Sequence, residues 1–121
     1  MFRRAFLSVA LVLGALVAGL PAAAQVEIFT VTGSNPGSSS TDYTGQVSVA
    51  QTGNTWRMQW QVSGATVEGT GLIMDGTHLA ATGLLEGRPF VLIMRKDGTR
   101  FVGEWTVHGQ TQIGRETWTP Q

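Results

Sequence analysis

Glu104, Glu116, His78, His108, the run Ser38-Ser39-Ser40, and the tyrosine and tryptophans are the residues whose types could do chemistry here. Glu104 and Glu116 lie in similar contexts, Gly103-Glu104-Trp105 and Arg115-Glu116-Thr117. Two carboxyl groups held close can divide acid and base roles, as in glycoside hydrolysis. They are the candidates for a small hydrolase-like activity. Yet Glu104 alternates onto the face opposite Phe101 and Trp105, where a cross-strand ion pair with Arg95, Arg100 or Arg115 is the simpler use. His78 and His108 belong to no H-x-H or H-E-x-x-H spacing and read as surface residues. The serine run lacks the G-x-S-x-G turn that exposes a nucleophile. No metal, cofactor or catalytic residue is expected.

Four tryptophans and one tyrosine remain. Large rings dominate both cores and interfaces, so most of them belong inside. Any that line an open end of the fold would make a stacking or apolar ligand site. Tyr43, Trp60, Trp105 and Trp118 are the candidate ligand-binding residues.

The elements that must position them are strands. Past residue 24 no helical period is visible, and the 16 glycines of the chain argue against helices, where each costs about 1 kcal/mol relative to alanine. Residues 26–32 (VEIFTVT) alternate as a first strand. Residues 33–42 (GSNPGSSSTD) read as a flexible loop, with neither a following helix nor a nearby lysine to cradle phosphate. Residues 43–50 and 55–62 form the best-specified hairpin, with Val47, Val49, Trp56, Met58, Trp60 and Val62 on coincident faces. A two-residue turn at Thr52-Gly53 would set Val49 against Trp56 and Val47 against Met58.

Asp75-Gly76 and Asp97-Gly98 mark two further hairpins. A two-residue turn at the second sets Met94 against Phe101, Leu92 against Gly103 and Phe90 against Trp105. At the first it sets Leu72 against Leu79, while a one-residue bulge would exchange the faces; the pattern leaves both open. Residues 111–119 supply a last strand before Pro120. About eight short strands joined by tight turns point to an all-β fold, a small antiparallel up-and-down barrel, with a flattened sandwich as the alternative. Closure is favoured because an open meander exposes two edges.

Residues 1–24 read as a signal peptide: Arg3 and Arg4, an apolar run from Ala5 to Leu20, then Pro21 and an A-x-A site. The run falls short of the ~20 residues that span a bilayer as a helix. Arg3-Arg4-Ala5-Phe6-Leu7 also resembles a twin-arginine export signal, although an ordinary positive leader fits the short apolar segment better. Cleavage would leave residues 25–121 as one domain, periplasmic or secreted, with no membrane span. The formal charge of the whole chain is zero, and losing two arginines leaves it slightly acidic, without a footprint for nucleic acid. No cysteine is present, so no disulfide can brace the fold and no thiolate can act as nucleophile.

The succession F-T-V-T-G-S-N-P-G…Y-T-G-Q-V-S-V, T-G-N-T-W-R-M-Q-W-Q-V, G-T-G-L-I-M-D-G-T-H-L-A-A, G-E-W-T-V and I-G-R-E-T-W resembles a loosely characterised family of small exported, often proteobacterial proteins. Some of that family carry a fibronectin-binding label. The chain departs from the family pattern at Phe29, where tyrosine is usual, and at Ala81, where valine is usual. The shared positions are turn glycines and core aromatics, which imply a fold more than a chemistry. The expected function is non-catalytic binding of a small apolar molecule, a glycan or another exported protein. The alternatives are the Glu104/Glu116 hydrolase and an envelope interaction protein without a pocket.

Overall fold

The computed structural model describes residues 25–121, so the leader lies outside the described residues. Eight strands follow one another in the order β1 (Val26–Ser34), β2 (Tyr43–Thr52), β3 (Thr55–Val62), β4 (Ala65–Met74), β5 (His78–Leu85), β6 (Arg88–Asp97), β7 (Arg100–Val107) and β8 (Gly114–Pro120). Each pairs antiparallel with the next, and β8 pairs with β1, closing the barrel. The up-and-down barrel expected from the turn spacing is therefore the fold, and the flattened sandwich is not. Closure leaves no edge to template association.

Alternation decides what faces inward. Phe29, Val31, Val47, Val49, Met58, Trp60, Leu79, Ala81, Phe90, Leu92, Met94, Phe101, Val107 and Trp118 form one buried core. Outward positions carry Arg57, Gln61, Glu68, His78, Arg95, Glu104 and Arg115, all exposed. The same outer wall also exposes Leu72, Met74, Leu84, Val91 and Ile93 on β4 to β6, so the interior is largely apolar while the outer face is mixed.

Turn chemistry sets the registers, and here the structure corrects the sequence pattern. Val47 lies opposite Trp60 and Val49 opposite Met58, so the β2–β3 turn is Gly53-Asn54 and not Thr52-Gly53. Likewise Phe90 faces Val107, Leu92 faces Trp105 and Met94 faces Gly103, because the β6–β7 turn is Gly98-Thr99. In both turns only the glycine, at the first central position, has positive φ, the signature of a type II′ turn. Asp97 instead ends β6 opposite Arg100, with an ion pair at 3.7 Å. Both shifts preserve face parity, so the inward sets stand.

At Asp75-Gly76 parity changes. Both residues have positive φ, and Thr77 N–H donates to the Met74 carbonyl at 3.0 Å. Thr77 is then one residue too many, and His78 pairs with Met74. Ile73, not Leu72, lies opposite Leu79. Leu72 is turned outward at 61% exposure, opposite Ala80, whose partner on the far side is the outward Ile93.

Interior filling is uneven along the axis. Val31, Val47, Met58, Leu79, Met94 and Trp118 are almost completely buried and plug the middle. Cavities open on either side of this plug, at the two ends of the barrel.

Candidate functional site

The cavity at the end carrying the β1–β2 and β7–β8 loops has a volume of about 410 Å³. Tyr43, Trp60 and Trp105 line it together with Phe90, and Glu116 lies at its floor. Three of the four aromatics expected to bind a ligand are thus brought together. Trp118 is not among them: it is fully buried in the plug and borders the opposite cavity, of about 680 Å³, with Trp56.

Glu116 organises the site. It is 7% exposed, and three ring donors converge on its carboxylate. Trp60 Nε1 and Trp118 Nε1 donate to Oε2 at 2.8 and 2.7 Å, and Tyr43 Oη donates to Oε1 at 2.6 Å. Indole N–H groups can only donate, so this acid is held as an acceptor. A buried charge is tolerable only when hydrogen-bonded, and here aromatic edges do the work that cations do elsewhere.

Glycines make the convergence possible. Tyr43 on β2 faces Gly33 on β1, which faces Glu116 on β8. With no side chain at Gly33, the phenol lies across β1 to reach the carboxylate; an added Cβ would collide with the Tyr43 ring. Trp105 uses the same device over its partner Gly114, where a Cβ would come within 2.6 Å of Nε1. Its indole then donates to the Ser34 carbonyl at 3.2 Å. Tyr43 and Trp105 meet edge to face with centroids 6.4 Å apart.

The loop over residues 35–42 is tied down, not loose. Asn35 N–H donates to Asp42 Oδ2 at 2.8 Å, Asp42 N–H to the Gly33 carbonyl at 2.8 Å, and Gly37 N–H to the Ile113 carbonyl at 3.0 Å. The Asn35 amide and then the Ser38 hydroxyl hold the Asp42 carboxyl below its usual range.

The Glu104/Glu116 pair does not form. Gly103 lies opposite Glu116, while Glu104 lies opposite Arg115 on the outer face. Glu104 is exposed and pairs with Arg115 at 3.3 Å, the cross-strand ion pair weighed against catalysis. His78 and His108 are both exposed, and Ser38 to Ser40 lie in the exposed loop. Among the described residues no group of three potential ligands could hold a metal ion.

Glu116 as the acceptor for three rings was missed from sequence, although Gly114, Glu116 and Trp118 share parity and Trp118 points inward. An acid on an apolar face was the available signal.

Burial, reinforced by the negative Glu116, raises the Tyr43 phenol far above its ordinary value of 10.0. Above pH 10 the unfolded chain loses this proton while the folded chain keeps it. The contribution of Tyr43 is therefore complete below pH 10 and is lost as pH rises beyond it. Because Tyr43 is the only tyrosine, near-ultraviolet phenolate absorbance reports it alone. The native barrel should show no ionisation step near pH 10, and the chain in denaturant should show a full one. A native step near pH 10 would mean that the phenol is not held on Glu116.

Compared with known proteins, the chain matches no family model and no curated protein. Fold and site together define a closed eight-stranded antiparallel barrel with an aromatic-lined cavity over one buried carboxylate.

Proposed function

We propose that this is an exported, non-catalytic binding protein that takes a small, largely apolar molecule into the cavity beneath the 35–42 loop. The cavity itself carries the reading. Its volume of about 410 Å³ falls within the ~300–1,000 Å³ range of small-molecule sites, which pair apolar and aromatic walls with a few fixed polar groups. Its walls are Trp60, Trp105, Tyr43, Phe90 and Leu85, and its fixed polar group is Glu116. The rings are pinned by Glu116 and the Ser34 carbonyl, so little ordering remains for a ligand to impose. Export follows from the leader-like residues 1–24, and the resemblance to small exported bacterial proteins agrees with it.

Of the two ends, this one is favoured because a buried acceptor lies under its aromatic walls. The opposite cavity is ringed instead by Gln25, Glu27, Gln51, Lys96 and Thr99, a wetter rim with both charge signs.

The uncharged apolar dye N-phenylnaphthylamine tests the reading. It should bind saturably with a rise in its emission. Ala65, exposed but lining the cavity, is the place to fill the mouth. Ala65→Trp should weaken dye binding at least about tenfold, whereas Thr66→Trp, on the outer face, should not. Absence of saturable binding, or binding indifferent to Ala65→Trp, would defeat the proposal.

A further inference from the structure

We infer that the ligand of this cavity carries a protonated amine on its apolar or aromatic body. The inference rests on the binding reading above and adds the chemistry of the head group.

Charge at this end is one-sided. Asp42, Glu86 and Glu116 line the cavity, and no lysine, arginine or histidine does. The nearest arginines are engaged elsewhere: Arg88 Nη1 donates to the His108 carbonyl at 3.0 Å, and Arg115 pairs with Glu104 on the outer wall. Arg88 keeps its charge but is exposed and does not line the cavity, whose own charged groups are all acidic. A cation entering between apolar walls gains from this field more than it would in bulk water, because low-dielectric walls focus it.

The rings add a second preference with the same sign. Trp60, Trp105, Tyr43 and Phe90 surround the space above Glu116, and aromatic faces attract ammonium groups, tryptophan most strongly. An anionic head would meet repulsion from both the carboxylates and the ring faces.

Glu116 supplies the directional part. A carboxylate offers about four acceptor positions, and three are occupied, by Trp60, Trp118 and Tyr43. The remaining one is on Oε1, which holds only Tyr43. It suits an N–H donor, which separates a protonated amine from a quaternary ammonium that has none to give. A neutral hydroxyl could fill the same position but would gain nothing from Asp42 and Glu86.

Three compounds with one body test the head group: naphthylethylamine, naphthylethanol and naphthylacetate, each titrated calorimetrically at low salt. The amine should bind at least about tenfold tighter than the alcohol, and the carboxylate weakest. Asp42→Asn with Glu86→Gln alters two exposed rim residues. It should shrink the amine-over-alcohol preference without abolishing it, because Glu116 remains. Added salt should do the same. Equal binding of all three, or tightest binding of the carboxylate, would overturn the amine inference while leaving the cavity as a binding site. If none of the three binds while N-phenylnaphthylamine does, the inference again fails alone. If the dye also fails, the binding reading falls and takes this one with it.

Discussion

Replacing Glu116 with leucine should destabilise the barrel by about 3–5 kcal/mol, measured as a lowered denaturation midpoint at unchanged m-value. Leucine nearly matches the volume but accepts no hydrogen bond. Trp60 and Trp118 are 5% and 0% exposed, so their indole N–H groups would be left without water or partner. Each stranded donor costs roughly 1–3 kcal/mol. Tyr43, half-buried at the mouth, loses its partner too but can turn toward solvent. Relief from no longer burying a carboxylate offsets part of this, which keeps the expected loss below the sum of three charge-assisted bonds. Glu116→Gln should cost less than half as much. Its single oxygen can accept both indoles as Oε2 does now, and its amide can donate to the Tyr43 oxygen, since a hydroxyl also accepts. A leucine variant as stable as the parent would mean that the carboxylate is a burden the fold merely tolerates.

Face parity was legible from sequence wherever apolar and polar residues alternate cleanly. Residues 56–62 put Trp56, Met58, Trp60 and Val62 on one side, and that side is inward although the turn sits one residue later than the pattern implied. A slip of the turn that moves both strands together leaves the faces coincident. Asp97-Gly98 misled in the same harmless way, because glycine there serves as the first central residue of the turn and not the second. The harder case was β4 with β5. Leu72, Ile73 and Met74 are apolar in succession, as are Leu84 and Leu85, so neither face is marked and hydrophobicity cannot choose a register. The extra residue Thr77 chooses it instead.

Strand alternation gave the position of Glu104, out of phase with Trp105 and exposed. The same rule applied to Glu116, in phase with Trp118, puts it in the core, but that step was not taken from the sequence. What alternation could not give was the company Glu116 keeps. Tyr43 lies 73 residues away in sequence and reaches it only because barrel closure puts β1 between β2 and β8. The gap at Gly33 is equally necessary. A glycine in a strand reads as weakness, whereas here it is the space a ring fills from the neighbouring strand. Nor does alternation say which inward residues crowd the middle and which stand back at the ends. That depends on strand stagger, and it is why Trp118 was grouped with the mouth aromatics when it belongs to the plug.

Trp118→Ala carries the other large effect, about 3–5 kcal/mol, and the plug explains why. The Trp118 ring meets Phe29 at 5.6 Å, Trp60 at 6.0 Å and Phe101 at 6.1 Å between centroids, and its Nε1 holds Glu116 Oε2. Truncation removes these ring contacts, each worth about 0.5–1.5 kcal/mol beyond burial. It also opens a void in the layer that separates the two cavities. Against a total stability of about 5–15 kcal/mol for such a domain, the loss approaches unfolding. Trp118→Phe should be much milder, since it keeps most of the ring packing and leaves Glu116 two of its three donors. Trp105→Ala should also cost less than Trp118→Ala, because Trp105 is half-buried at the mouth and its removal enlarges a cavity already open to water. The order Trp118→Ala, then Trp105→Ala, then the parent chain, read from urea midpoints, is the signature of a barrel filled in its middle and hollow at its end. If Trp105→Ala proved the costlier of the two, the load would rest on the mouth, and that cavity would be a structural joint with no room left for a ligand.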